Sequence, residues 1–206
     1  MPVVTGVIER RGRSKVSIDG EFWAELDSGV AGERGIREGA EFSLEELREA
    51  RAAGERPLAM NRALGALGYR ARTQHELRGR LLRAGYAGET VDLVVGRLGE
   101  LGYLDDEEFA RSSAREGARK KYGPRRIRQD LKRAGVDEEV VRAAVEEEFA
   151  GRSELEEALA AARRRYNTGE GSDAQARRVY GFLARRGYSA EVCAEVARSY
   201  RRGTEE

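Results

Sequence analysis

Three segments of this chain align without a gap, and that self-similarity restricts the fold more than any other feature. They are HELRGRLLRAGYAGETVDLVV (75–95), RRIRQDLKRAGVDEEVVRAAV (125–145) and RRVYGFLARRGYSAEVCAEVA (177–197). Gly85, Gly135 and Gly187 occupy the same place in each. Four residues earlier stands Leu81, Leu131 or Leu183; eight earlier, Leu77, Ile127 or Val179. Apolar side chains at i, i+4 and i+8 form one stripe along a helix. The glycine then ends that helix in the left-handed conformation, which side chains with a Cβ adopt at a cost. Six residues later comes Val91, Val141 or Cys193, the start of a second amphipathic stripe.

A further helical stretch precedes each block, near 58–67, 106–121 and 154–166, so the pattern predicts three units of three helices. Cap chemistry supports the boundaries. Thr73 with Glu76 and Ser153 with Glu156 have capping-box spacing. Asp105, Asp106 and Asp137 are N-cap candidates. Pro124 suits a first helical turn, where its missing N–H leaves no bond unmade. NTGEGSD (167–173) reads as a loop inside the third unit.

The N-terminal segment has a different period. Val16, Ile18, Phe22, Ala24 and Leu26 alternate across Asp19-Gly20, the pairing a tight hairpin turn prefers. Trp23 is the expected anchor of that hairpin's core. S-L-E-E at 43–46 opens a short helix expected to end near Ala53, with Gly54 and Pro57 marking the junction. The predicted fold is mostly α: a tandem array of three three-helix repeats, curving to the right or left, with a small N-terminal β-hairpin segment. Each unit is expected to cover its neighbour's apolar face. The boundaries drawn from sequence are 1–56 for the hairpin and short helix, then 57–104, 105–151 and 152–206 for the repeats.

Several function classes fall away. The sole histidine, His75, and the sole cysteine, Cys193, cannot build a Cys/His zinc cluster. No G-x-S-x-G, G-x-x-x-x-G-K-[ST] or G-x-G-x-x-G appears. The expectation is a non-enzymatic protein without a cofactor. No apolar run approaches the ~20 residues a spanning helix needs, and MPVVTGVIERRGRSK lacks the apolar core of a signal peptide. With one cysteine and no such signals, a cytoplasmic, membrane-free monomer is expected.

Net charge is only +1, from 38 basic and 37 acidic residues. The sum conceals strong segregation. Residues 1–55 carry net −4 and residues 56–104 net +4, while 111–133 alone carry net +8 between acidic runs at 105–108 and 137–139. Alternating blocks of this kind place basic and acidic faces on one molecule.

The residues also resemble the RecX family. The resemblance rests on Ala63-Leu64 leading to Arg72-Thr73 and Glu76-Leu77, on the Gly85 turn, and on GYLDDEEFA (102–110). It continues through YGPRRIRQDLKRAGV (122–136) and FLARRGYS (182–189). The hairpin is similar to the extra β segment of longer family members. The resemblance implies a regulator that binds RecA–DNA filaments and restrains filament extension, ATP hydrolysis and strand exchange. It implies single- or double-stranded DNA as a partner bound weakly or through the filament. Departures exist: Thr73 stands where serine is more usual, and Gly65, Gly79, Gly96 and Gly99 fall in or near helices, where glycine costs up to ~1 kcal/mol relative to alanine.

Binding candidates follow the basic blocks. Arg119, Lys120, Lys121, Tyr122, Arg125, Arg126, Arg128 and Lys132 span the end of one helix and the start of the next. Cations at a helix N-terminus oppose the dipole, so Arg125 and Arg126 are expected to serve an anion together with free helix N–H groups. A second set, Arg72, Arg80 and Arg83, shares a helix face with Glu76; a third comprises Arg185 and Arg186, with Arg163–Arg165 nearby. The alternative for each is a solvated face with local ion pairs. Tyrosines beside helix-end glycines are expected to pack, His75 to be exposed, and Cys193 to be a small buried apolar group. Rival functions are a helical-repeat DNA-binding protein acting independently of RecA, and a general helical adaptor.

Overall fold

The computed structural model describes residues 1–167 and 171–202, and the backbone divides into two compact units, residues 1–105 and 106–206. The predicted 167–173 loop lies partly outside the described residues; Ser172, within it, caps the next helix by accepting from the Gln175 N–H.

Unit 1 opens with β1 (Val4–Arg10), β2 (Arg13–Ile18) and β3 (Glu21–Asp27), an antiparallel sheet in the order β1-β2-β3. The expected hairpin is thus one half of a three-stranded meander. Arg11-Gly12 makes the first two-residue turn and Asp19-Gly20 the second, all four with positive φ, the geometry that matches strand twist. A register shift between Val16 and Ser17 interrupts the alternation. Val16 and Leu26 consequently bury completely, whereas Phe22 is 65% exposed. Trp23 is half-buried against the edge of a core made by Val4, Val16, Ala24, Leu26, Ala31, Ile36 and Ala50, so it flanks that core and does not anchor it. A short helix, α1 (Ser28–Glu33), follows, capped by Asp27.

The largest departure from expectation is α2 (Leu44–Tyr69). One 26-residue helix replaces the two helices anticipated on either side of Gly54 and Pro57. Ser43 and Glu46 close its start as a complete capping box. Pro57 lacks the N–H that would bond back one turn, a loss of ~3 kcal/mol in an isolated helix. Tertiary contacts on both sides outweigh it: Leu47, Ala50 and Gly54 are buried towards the sheet end, and Leu58, Ala59, Ala63 and Ala66 towards the first repeat. Gly54 is no breaker. A Cβ there would lie 2.8 Å from the Leu26 Cβ, so glycine lets α2 approach β3.

The same helix carries Glu55, which is 1% exposed. Its carboxylate accepts from Arg51 Nε at 2.7 Å and from the Ala87 N–H at 2.8 Å. Arg51 also donates to the Gly85 carbonyl at 3.3 Å. These bonds tie α2 to the turn between α3 (Gln74–Arg83) and α4 (Gly88–Glu100). Ala87 offers α4 no side-chain cap, and Glu55 supplies the acceptor from the neighbouring helix.

In unit 2, α5 (Asp106–Arg119), α6 (Pro124–Arg133) and α7 (Glu138–Phe149) form one three-helix module, and α8 (Glu154–Arg163), α9 (Asp173–Arg186) and α10 (Ala190–Arg202) the next. Every repeat position predicted as core is buried: Leu77, Leu81 and Val91; Ile127, Leu131 and Val141; Val179, Leu183 and Cys193. Gly85, Gly135 and Gly187 all have positive φ. Each module nevertheless closes a separate cluster of its own, so its apolar stripes bury within the module and not, as expected, chiefly against a neighbour. Among the described residues no helix is long and apolar enough to cross a membrane.

Candidate functional site

Residues 120–126 form the joint on which the third module is seated. At the end of α5, Lys121 adopts φ +59, a conformation uncommon for residues with a Cβ. Its carbonyl then accepts from Arg186 Nη1 and from the Tyr188 hydroxyl, both at 3.1 Å. Lys121 Nζ meets Glu157 of α8 at 2.6 Å. Arg186 also donates to the Lys120 carbonyl. Tyr122 lies between two guanidinium groups, with Arg126 5.5 Å and Arg186 5.4 Å from its ring centroid, the geometry of cation–π attraction.

The backbones themselves touch. Gly123 N–H donates to the Arg186 carbonyl at 2.8 Å, and Arg125 N–H to the Gly187 carbonyl at 3.2 Å. The C-terminal carbonyls of α9 thereby occupy N-terminal donors of α6, an arrangement both helix dipoles favour. A Cβ at Gly123 would fall 2.4 Å from the Gly187 oxygen, and one at Gly187 2.3 Å from the Arg126 nitrogen. This corrects the expectation that the α6 N–H groups converge with Arg125 and Arg126 on an external anion. Those donors serve the third module, and Arg126 itself pairs with Asp130 at 2.7 Å. Burial drives the Tyr188 hydroxyl's pKa well up, fitting its role as a neutral donor in this joint.

The remaining candidates divide by whether a carboxylate has claimed them. Arg119 and Lys120 both pair with Glu116, at 2.9 and 3.0 Å, and hold its carboxyl down to about 2. Lys132 meets Glu138 at 2.6 Å. Arg125, Arg128 and Arg185 have no carboxylate in ion-pair range among the described residues. Arg125, Arg126 and Arg185 line a hollow of about 340 Å³ together with Gln129, Tyr180 and Tyr188. Its lining holds no acidic side chain, so the hollow can take an anion through guanidinium groups alone.

In unit 1 the second basic set is partly spent on the fold. Arg72 is half-buried, donating Nε to the Ala66 carbonyl at 3.1 Å, and desolvation lowers its pKa. Arg80 and Arg83 are exposed in the last turn of α3, where cations suit the dipole. At the expected Thr73 cap, Thr73 Oγ1 accepts from the Glu76 N–H, and Arg70 donates to the Glu76 carboxylate through two bonds of 2.8 and 3.0 Å. His75 is exposed and Cys193 fully buried, as expected. Tyr86 and Tyr188 pack, whereas Tyr69 and Tyr103, equally adjacent to glycines, are exposed.

Sequence reasoning missed Glu55 and the Gly123–Gly187 contact. The second carried no signal in the sequence, because glycine is itself a common N-cap residue; only its φ of −76° and the Gly187 backbone beside it show that close approach is the reason.

Comparison with known proteins gives a consistent result. Models of the first, second and third RecX three-helix domains match residues 59–98, 105–145 and 153–196. The Regulatory protein RecX of Mycolicibacterium vanbaalenii is 36% identical over 153 residues, 69% of this chain and 81% of that one. That of Mycobacterium sp. (strain JLS) is 39% identical over 135 residues, 62% and 73% of the two chains. That of Lactobacillus johnsonii is 31% identical over 68% of this chain, which spans about half, 53%, of its length. Among solved structures, one described as the crystal structure of regulatory protein RecX has a TM-score of 0.61 at 23% identity, covering 95% of this chain and 98% of that one. RecX from Lactobacillus salivarius has a TM-score of 0.59 at 19% identity, covering 71% and 96%. Three three-helix domains in family order, the shared fold and these identities over most of the chain agree: the chain belongs to the RecX family of regulatory proteins.

Proposed function

We propose that this chain binds RecA–DNA filaments and restrains filament extension, ATP hydrolysis and strand exchange, as a cytoplasmic regulator without catalysis of its own. Membership of a family of regulatory proteins carries the reading. Unclaimed guanidinium groups support it: Arg125, Arg128 and Arg185 in unit 2, Arg80 and Arg83 in unit 1. Such groups suit DNA phosphates and protein carboxylates alike. Several weak contacts on one chain raise each other's effective concentration, so the modules bridge adjacent RecA protomers and oppose the rearrangements that ATP turnover requires.

The test is RecA ATP hydrolysis on single-stranded DNA with increasing amounts of the protein. Inhibition at or below one molecule per RecA protomer is expected; an unchanged rate at that ratio refutes the reading. The net +8 of residues 111–133 favours a second reading, a helical-repeat DNA-binding protein acting independently of RecA. Tight DNA binding without RecA, with a steep salt dependence, is its signature.

A further inference from the structure

A hollow in unit 1 lies apart from the basic residues assigned to filament binding. It has a volume of about 230 Å³ and three walls. Lys15, Phe22 and Glu25 come from the sheet, Arg51, Glu55 and Arg62 from α2, and Tyr86 from the turn between α3 and α4. The three α2 residues stand at i, i+4 and i+11, on one face of the helix. Sheet and turn meet that single face because α2 runs unbroken through Gly54 and Pro57.

The charges around the hollow are unequally spent. Both carboxylates are claimed, Glu55 by Arg51 and the Ala87 N–H, and Glu25 by Arg13 at 3.4 Å. Lys15 and Arg62 have no carboxylate in ion-pair range among the described residues. Burial raises the pKa of the Tyr86 hydroxyl and the Arg62 charge opposes that rise, which places the guanidinium beside Tyr86. Three cations thus face two anions, and the two charges left over are both positive.

The apolar part of the lining is incomplete in the same way. Tyr86 is buried, and Ala24 and Ala84 border the hollow beside it. Phe22, on the opposite wall, is 65% exposed. A ring left mostly in water gives the fold little, and a ligand that covers it gains the burial instead. Size narrows what that ligand is. Pockets that enclose a whole small molecule run to roughly 300–1,000 Å³, and this one is smaller. It has room for one large side chain. Protein interfaces use hollows of that form, in which an aromatic or aliphatic anchor fills the centre and charged groups stand at the rim. Here the uncommitted rim charges select carboxylates.

We propose that this hollow docks an acidic segment of a partner protein, taking one aromatic or large aliphatic anchor residue with carboxylates on either side. The anchor enters between Phe22 and Tyr86, and its flanking carboxylates meet Lys15 and Arg62. The inference does not rest on the filament reading: inhibition of RecA retained by a protein that has lost this hollow leaves that reading standing.

The experiment uses the full chain and a fluorescein-labelled pentapeptide, one phenylalanine between two pairs of aspartates, followed by anisotropy. Lys15→Glu/Arg62→Glu is compared with the charge-matched Arg37→Glu/Arg56→Glu, all four positions being exposed. Phe22→Ala removes the apolar wall without changing charge and, at an exposed position, without opening the core. Lys15→Glu/Arg62→Glu and Phe22→Ala are each expected to weaken binding by about tenfold or more, the loss typical of a residue that carries an interface, while the charge control keeps most of the native affinity. Equal losses in the two double variants would reduce the effect to net charge and overturn the proposal. Native affinity in Phe22→Ala would overturn it too, as would equal binding of a peptide with alanine in place of phenylalanine. Binding by the native chain weaker than roughly 1 mM would also overturn it. Free 3-phenylpropionate binding as tightly as the peptide would make the hollow a small-molecule site and refute the docking role.

Discussion

Gly123→Ala is the most direct test of the joint between the second and third modules. The backbone at Gly123 has φ −76°, which alanine adopts freely, so the substitution adds no conformational strain. What it adds is one methyl group, 2.4 Å from the Gly187 oxygen, 2.5 Å from its carbonyl carbon and 2.6 Å from the Tyr188 nitrogen. All three are backbone atoms, so no side chain can swing aside. Relief requires the two backbones to separate by roughly 1 Å to reach ordinary van der Waals distance. That separation breaks the bonds from Gly123 N–H to the Arg186 carbonyl and from Arg125 N–H to the Gly187 carbonyl. It also strains those converging on the Lys121 carbonyl. The buried Gly123 N–H losing its partner costs ~1–3 kcal/mol, and the Arg125 N–H, on an exposed residue, up to about 1 kcal/mol more, giving about 1–4 kcal/mol in all. For a unit of this size, 1 kcal/mol corresponds to a Tm shift of roughly 4–8 °C, so a fall of at least about 4 °C is expected. Thermal melting followed by far-ultraviolet circular dichroism reads the helices. Trp23 fluorescence, from residues 1–105, supplies an internal reference that should hold its midpoint. A helical Tm within about 2 °C of the native value would refute the close contact, since that is under 0.5 kcal/mol.

Three further predictions use other parts of the chain. Glu55→Ala removes the acceptor for the Ala87 N–H and strands Arg51, and is expected to cost about 2–4 kcal/mol in urea denaturation followed by Trp23. Gly96→Ala and Gly99→Ala put a Cβ where nothing lies within 4 Å, so each is expected to stabilise by up to ~1 kcal/mol; a loss in either would expose an unrecognised contact. Tyr188, Cys193 and Tyr200 share the third module's core, and burial raises the pKa of all three. Because the native state holds these protons more tightly than the unfolded chain, their stabilisation is complete below the ordinary values of 9.0 for cysteine and 10.0 for tyrosine and is lost as pH rises through the raised ones. Denaturation midpoints at successive pH values should therefore fall above about pH 9, and a flat profile to pH 11 would contradict the burial.

The repeat was legible because its signals are local. A glycine with positive φ, a leucine four residues before it and a small apolar residue six after it each depend on neighbours within two turns. Leu131, Ile127 and Val141 are core for the reason their spacing indicates. What escaped was decided by distant partners. Gly54 and Pro57 have the local chemistry of a helix end, yet Leu26 on one side and the first module on the other hold the helix through them. Arg125 and Arg126 have the local chemistry of an anion site, yet the acceptors for the α6 donors arrive from some 60 residues further along. A bulge of one residue at Val16/Ser17 turned Phe22 outward, and alternation read across a turn cannot register such a shift. Cation density, by contrast, was visible in sequence, but which guanidinium groups remain unclaimed depended on each glutamate's position in space.

The uninterrupted α2 helix bears on how this chain can be dissected. At 26 residues it is about 39 Å long, and its first half roofs the sheet while its second half belongs to the first module. Trimming the protein at residue 56 would leave a frayed stub beginning at Pro57 and delete the acceptor that holds the start of α4. A fragment lacking the sheet therefore tests a wounded module, and lost activity in it would not assign that activity to the sheet. Cutting before Ser43, which keeps the capping box, Arg51 and Glu55, removes the strands while sparing the splint. It leaves Ala50 facing water, so Ala50→Glu is the companion change that would make such a truncation a fair comparison.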